Sequence, residues 1–265
     1  MRMSKIKKYL AITKMSLLEA FQYKGEILGR FVFYSLFISI FFCLWQAIYQ
    51  HDFNNAYSFE QMIWYLCISE LIAFGCRTNI YNQLQADVKT GNIAYMLAKP
   101  FNFVLYQLAL FLGSSTLNLL TFGSYACLLG CFYAGYLPDF AFWQLPFILA
   151  SIVMGITLNF LMMLILGLTA FVWEENTGFY FVYQKLVFML GMFIPIEFLP
   201  SSLQEVARKL PFSYVAWAPA KLAVDFSWSS FDELFLNQVC WNIAFAALAF
   251  WVYDRATKSL QGQGG

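Results

Sequence analysis

Residues 85–102 read QADVKTGNIAYMLAKPFN. This polar, glycine-containing, proline-ended island separates two long apolar runs, residues 61–81 and 103–133, and the fold turns on how those neighbours are read. A helix crosses a hydrocarbon core about 30 Å thick in roughly 20 residues, so each neighbour can span a bilayer. The island is then an aqueous connection between two membrane-crossing helices. Four further runs, residues 31–49, 143–173, 179–196 and 236–253, bring the expected total to six. The runs at 103–133 and 143–173 are overlong and predict a tilt, a kink or an interfacial turn. All six are continuous rather than alternating, which favours helices over a β-barrel.

Composition agrees. Of the 265 residues 61% are hydrophobic, 20% aromatic and 12% charged, where water-soluble domains average about 25% charged. Six spans leave no room for a separate soluble domain, so residues 1–265 are expected to form one transmembrane unit. The net charge of +1 says little, but its distribution says more. With the N-terminus inside, thirteen of the sixteen Lys and Arg residues fall on the inner side, against Arg208, Lys209 and Lys221 outside. The positive-inside rule therefore puts both termini in the cytoplasm. Arg77 and Lys185 are counted inside as residues near helix ends that can snorkel.

Three segments outside the spans carry more information. Residues 1–30 are basic but lack the uninterrupted apolar stretch of a cleavable leader. Ile6, Tyr9, Leu10, Leu17 and Phe21 recur at helical spacing opposite Lys5, Lys7, Lys8 and Lys14, which predicts an amphipathic helix on the cytoplasmic surface. In the loop at 82–102, Asp87 and Asn92 offer helix-end chemistry, Gly91 permits a tight break, and Pro100 disfavours helix at Lys99. Ile93, Met96 and Leu97 form the apolar edge of a short helix that can lie on the membrane or dock in a partner's groove. The segment at 197–235, with residues just before it, holds Pro195, Pro200, Pro211 and Pro219, four of seven prolines. Between them a short helix capped by Ser201 or Ser202, with Leu203, Val206 and Leu210 along one face, and a second piece near 220–224 are expected at the outer interface or dipping inward. They form either a lid or a brace.

Candidate chemistry is sparse. Glu70 falls near the middle of the second span, where an ionised acid costs about 2.5–3.5 kcal/mol, so it must face protein or water. It either lines a pathway and attracts a cationic or polar part of a substrate, or makes a buried interhelical hydrogen bond or is a protonated acid. Asn159, another pathway candidate, has the same alternatives, and Thr157 and Gln184 more often join helices. Glu174 and Glu175 fall in an inner loop. No G-x-x-x-x-G-K-[ST] phosphate cradle occurs, and His51, the one histidine, lies in an outer loop. No catalytic residue or metal site is assigned, and the six cysteines read as packing residues.

The opening FQYKGEILGRFVFYSLFISIFFCLWQAIY, the loop KTGNIAYMLAKPFNF, the stretch FIPIEFLPSSLQEVARKLPFSYVAWAPAKL, and a tail of Trp251 and Arg255 running to GQGG resemble the six-span branch of the ABC-2-type permeases, the ABC-2 family transporter proteins, and are similar to viologen exporter permeases. The tail has Arg255 and Lys258 where a denser basic cluster is usual. The resemblance implies an all-α polytopic permease of a bacterial cytoplasmic (inner) membrane. It implies a second permease copy, as homodimer or heterodimer, and two ABC ATPase subunits that use ATP and Mg, with no cofactor on this chain and no nucleic-acid partner. It also implies export of a hydrophobic, amphipathic or cationic substrate by alternating access. Asp87, Val88, Lys89, Thr90, Gly91, Asn92 and Ile93 would be the coupling helix, and Pro195, Pro200, Pro211 and Pro219 an outer gate or brace. The alternatives are a non-transporting anchoring subunit and a membrane-embedded enzyme.

Overall fold

The computed structural model describes residues 5–20, 22, 24–50, 56–75, 80–97, 99, 101–171, 173 and 176–263. His51, Cys76, Arg77, Pro100, Glu174, Glu175 and the Phe21 of the expected surface helix lie outside them.

Among the described residues the chain is helical, with no strand. The helices are α1 (Lys5–Ala20), α2 (Lys24–Tyr49), α3 (Phe59–Gly75), α4 (Ile80–Lys89), α5 (Asn92–Leu97), α6 (Phe103–Ala134), α7 (Leu145–Leu168), α8 (Thr177–Val187), α9 (Ser201–Lys209), α10 (Ser213–Val224) and α11 (Trp228–Gln263). Four stretches are long and apolar enough to cross a membrane: Ile27–Tyr49, Phe103–Ala134, Phe142–Phe171 and Trp228–Lys258. The overlong run at 143–173 resolves into α7 with a 3₁₀ turn at each end, Phe142–Gln144 and Thr169–Phe171. The expected second span is described as the 17-residue α3, Phe59–Gly75, and Ile80 and Tyr81 belong to α4, residues 76–79 lying outside the described ones. The fifth is the 11-residue α8 continued by a six-residue π-helical turn, Phe188–Phe193. Lys185 sits well inside that rod, exposed, rather than at its start.

The core gathers around α10. Nearly all of this 12-residue helix is buried, packed against α3, α7, α11 and the π turn. The expected piece at 220–224 is therefore only its second half, because Pro219 does not end it. Proline removes the bond to the carbonyl four residues back, here Val215. That carbonyl lies against Gly155 of α7, where an added Cβ would sit 2.3 Å from it. The close approach lets a Cα–H face the freed oxygen. Tyr214 O, beside it, accepts 3.0 Å from Gln238 Nε2 of α11. In α9 the proline also decides: Pro200 takes the N-cap position and Pro200 O accepts from Leu203 N and Gln204 N, so Ser201 starts the helix and neither serine caps it. Leu203 and Val206 are exposed and Leu210 half-buried.

α1 forms over Lys5–Ala20, and the apolar edge expected from its spacing is divided between α6 and the exposed surface. Ile6 and Leu10 are exposed, while Tyr9, Thr13, Ser16 and Leu17 turn toward α6. The reason is backbone contact: a Cβ on Gly113 of α6 would meet Thr13 O at 2.3 Å, and Ser16 Oγ donates to Leu110 O at 2.7 Å. The small and polar Thr13 and Ser16 sit where the two backbones come closest. Among the described cysteines, all free, Cys67 is buried as expected; Cys43, Cys127, Cys131 and Cys240 face outward.

Candidate functional site

The polar island folds as a helix–corner–helix. α4 ends at Lys89, Thr90 and Gly91 turn the chain, and α5 starts at Asn92. Gly91 has φ 72°, a left-handed conformation that glycine takes without strain. Across the turn Asn92 Nδ2 donates to Asp87 Oδ1 at 2.9 Å, and Thr90 Oγ1 donates to Ala86 O at 2.9 Å. Asp87 through Ile93 thus form the corner between two helices rather than one short helix. Lys89, Thr90, Gly91, Asn92 and Tyr95 are exposed, Asp87 and Val88 half-buried. The apolar edge of Ile93, Met96 and Leu97 turns inward onto the protein's own core, so what stays exposed is the polar corner.

Behind the corner, one carboxamide ties three elements. Asn176, 1% exposed, accepts from Tyr81 Oη at 2.6 Å and Gln85 Nε2 at 3.5 Å, both on α4. Its Nδ2 donates at 2.7 Å to Leu166 O and to Thr169 Oγ1, at the end of α7. It also immediately precedes α8, whose Tyr180 ring stacks on Tyr81 with centroids 4.3 Å apart and planes 4° off parallel. Nothing in the sequence marks Asn176 for this role. An Asn before a helix looks like an N-cap, yet here the side chain makes no capping bond and is spent on tertiary contacts.

α8 leads to a cavity. A volume of about 740 Å³ is lined by Gly29, Arg30, Phe33 and Phe37 of α2, Glu70, Ala73 and Phe74 of α3, and Gln184, Phe188 and Met192 of the α8 rod. Glu70 is 3% exposed, and its Oε1 accepts no hydrogen bond among the described residues. The Arg30 guanidinium lies over the Phe122 ring, 4.6 Å from its centroid. The π turn, which puts Phe188 and Met192 in the lining, is tied to α3 by Tyr65 Oη, which donates to Gly191 O at 3.1 Å. Such turns release carbonyls from the helical ladder and recur at functional sites. The cavity is therefore largely aromatic and aliphatic, with Arg30 and Gln184 in its lining and one buried carboxylate, Glu70, whose Oε1 accepts no hydrogen bond among the described residues.

Asn159 is not part of it. Its Oδ1 accepts a short hydrogen bond from Tyr183 Oη, joining α7 to α8. Thr157 bonds back to Val153 O in its own helix, and Gln184 donates to Tyr180 Oη at 2.7 Å while lining the cavity. The four prolines lie elsewhere: Pro195 before the 3₁₀ turn Ile196–Phe198, Pro200 at the start of α9, Pro211 between α9 and α10, and Pro219 inside α10. Around them Glu197 accepts from Trp217 Nε1 at 3.1 Å and pairs with Lys221 at 3.5 Å, and Lys221 pairs with Asp225 at 2.9 Å. Burial, with the Glu197 carboxylate next in weight, raises the Tyr57 phenol well above its ordinary value beside this group.

A comparison with curated proteins gave no match. The family model described as ABC-2 family transporter protein matches residues 34–264, which takes in the corner, every helix from α3 onward and the cavity lining except Gly29, Arg30 and Phe33. A polytopic helical chain with an exposed corner beneath a spanning bundle, matched over most of its length, thus belongs to the ABC-2 transporter family.

Proposed function

We propose that this chain is the permease subunit of an ATP-driven exporter, in which separate ATPase subunits push on the α4–α5 corner and switch a pathway past Glu70 between the two sides of the membrane. Membership of the family implies association with an ABC ATPase subunit. In this reading α3 and the α8 rod complete six crossings, both termini face the cytoplasm of a bacterial inner membrane, and two permease copies meet two ATPase subunits that bind ATP and Mg. The substrate is hydrophobic, amphipathic or cationic.

The observation that carries the reading is the continuity from corner to cavity. Exposed Thr90, Gly91 and Asn92 cap a helix whose Tyr81 and Gln85 grip Asn176, and Asn176 opens the helix bearing Gln184 and Phe188. A push at the corner has a rigid route to the cavity wall.

The test is co-purification of the ATPase subunit encoded alongside, with the wild-type chain and with Thr90→Trp. Thr90 is exposed, so the bulky ring leaves the fold intact and obstructs only a docked partner. Recovery should fall about tenfold, the equivalent of about 1.4 kcal/mol. Equal recovery removes the corner from the interface. ATP hydrolysis unaffected by hydrophobic or cationic compounds, in a complex that does assemble, favours the anchoring subunit instead.

A further inference from the structure

A second cavity, of about 770 Å³, lies between α9 and α11. It opens at the end of the bundle opposite the α4–α5 corner. The start of α11 meets the start of α7 there, Trp228 stacking on Trp143 at 5.5 Å, while its far end meets the start of α6, where Tyr253 stacks on Phe103. The aromatic cluster of Trp143, Phe226, Trp228 and Phe231 is the kind of belt that marks a membrane–water boundary.

Glu233 lies five residues beyond Trp228, about 7 Å deeper along the helix. From it a single stripe, Glu233, Asn237, Trp241 and Ala244, runs about 16 Å down α11, roughly the hydrocarbon depth of one leaflet. Glu233 is exposed, and so are Leu236 and Ile243 on the same helix and Leu203 and Val206 on α9. A carboxylate on a spanning helix, beside side chains that belong in lipid, needs a polar partner at that depth.

The mouth supplies both signs of charge. Arg208 and Lys209 end α9, and Glu205 and Glu233 stand with them around the same cavity. Two cations and two carboxylates leave an anion alone or a cation alone half satisfied, while a zwitterion answers both. We propose that this groove binds a phospholipid with a phosphate and a primary ammonium in its headgroup, phosphatidylethanolamine, with one acyl chain along Trp241 and Ala244. The phosphate meets Arg208 and Lys209, and the ammonium donates to Glu205 and Glu233. A choline head presents no N–H to those carboxylates, and a glycerol head no positive charge.

Both walls are fixed in advance. Ser213 Oγ donates to Ala207 O at 2.7 Å and Leu210 O at 2.8 Å, and Tyr214 Oη donates to Arg208 O at 2.7 Å, so the last turn of α9 is pinned to α10. On α11, Gln238 is fully buried and bonded to Ser151 and to Tyr214 O. Little freedom is lost when a ligand enters such a groove.

The test uses the full chain purified in detergent, stripped of lipid and offered an equal mixture of dioleoyl phosphatidylethanolamine, phosphatidylcholine and phosphatidylglycerol. Lipid retained per chain is read by mass spectrometry. Phosphatidylethanolamine should be kept about fivefold over each of the others, the scale of one charge-assisted contact. Glu205→Gln with Glu233→Gln should erase its advantage over phosphatidylcholine, Arg208→Gln with Lys209→Gln should lower both, and Ala244→Trp should expel all three. Glu60→Gln should change nothing. Glu233→Gln alone, at an exposed position, keeps the question open to measurement should a double variant misfold. Equal retention, a preference for phosphatidylglycerol, or a preference surviving Glu205→Gln/Glu233→Gln overturns the assignment. No ATPase enters this experiment, so its outcome is separate from that of the coupling reading.

Discussion

Two buried polar side chains, Asn176 and Glu70, behave oppositely on substitution because one is saturated and the other is not. The Asn176 amide closes four hydrogen bonds out of water. Asn176→Leu keeps the size but orphans the Tyr81 hydroxyl and the Leu166 carbonyl, at about 1–3 kcal/mol for each buried group left unpaired. The detergent-purified protein should lose several degrees of thermal stability, and Tyr81→Phe, which removes one bond together with its donor, should lose less. Among the described residues one carboxylate oxygen of Glu70 has no hydrogen-bond partner, and a cavity lies in front of it. Glu70→Gln keeps the size and takes the acid out of the cavity wall without breaking a hydrogen bond to Oε1, so apparent Tm should stay level or rise while transport falls. A fall in Tm on that substitution would mark Glu70 as a structural tie instead.

Helices here meet where glycine lets backbones touch. A Cβ on Gly155 would come within 2.3 Å of Val215 O, and one on Gly113 within 2.3 Å of Thr13 O, whereas Gly123 has nothing within 4 Å. Gly155→Ala must therefore push α7 off α10 and should abolish monodisperse elution in detergent. Gly123→Ala, with no such contact, should stabilise by about 0.5–1 kcal/mol through helix propensity, read as a small rise in Tm. Long apolar elements were legible in the sequence almost to the residue: the run at 103–133 is α6, Phe103–Ala134. Hydropathy faltered where polar residues continue a helix. The run at 236–253 is the middle of α11, which starts at Trp228 behind Ser227, whose Oγ accepts from Ser230 N, and carries Asp254 and Lys258 as an i,i+4 pair. Pro219 read as a boundary because the sequence does not display Gly155 and Gln238, the distant residues that accommodate the disrupted α10 ladder. The inward turn of Ile93 was hidden for the same reason, since an amphipathic edge says that something covers it and not what.

Across the molecule the two ends are held differently. At the end with α9, one cluster joins three segments: Glu197 between the π turn and α9, Lys221 and Trp217 on α10, and Tyr57 ahead of α3, whose ring lies 5.7 Å from Lys221 Nζ. Gln61 Nε2 adds a bond to Val224 O at 2.9 Å, and Tyr49 Oη one to Tyr57 O at 2.8 Å. The Lys221 and Glu197 side chains are only 15% and 13% exposed, so breaking the pair from one side strands a largely buried charge. At the other end, the Glu70 cavity is lined by the first turns of α2 and the last turns of α3, on the same side as the corner. If a push at the corner opens the α9 end, as proposed above, it has to undo this tie. Lys221→Met alone should therefore cost more thermal stability than Lys221→Met combined with Glu197→Gln, a non-additivity of about 1 kcal/mol or more for residues in direct contact. The same pair of variants should raise the labelling of a cysteine placed at Trp217 by a membrane-impermeant reagent applied from the α9 end. Additive losses, with that position equally protected in both, would mean that the cluster braces the fold and plays no part in opening it.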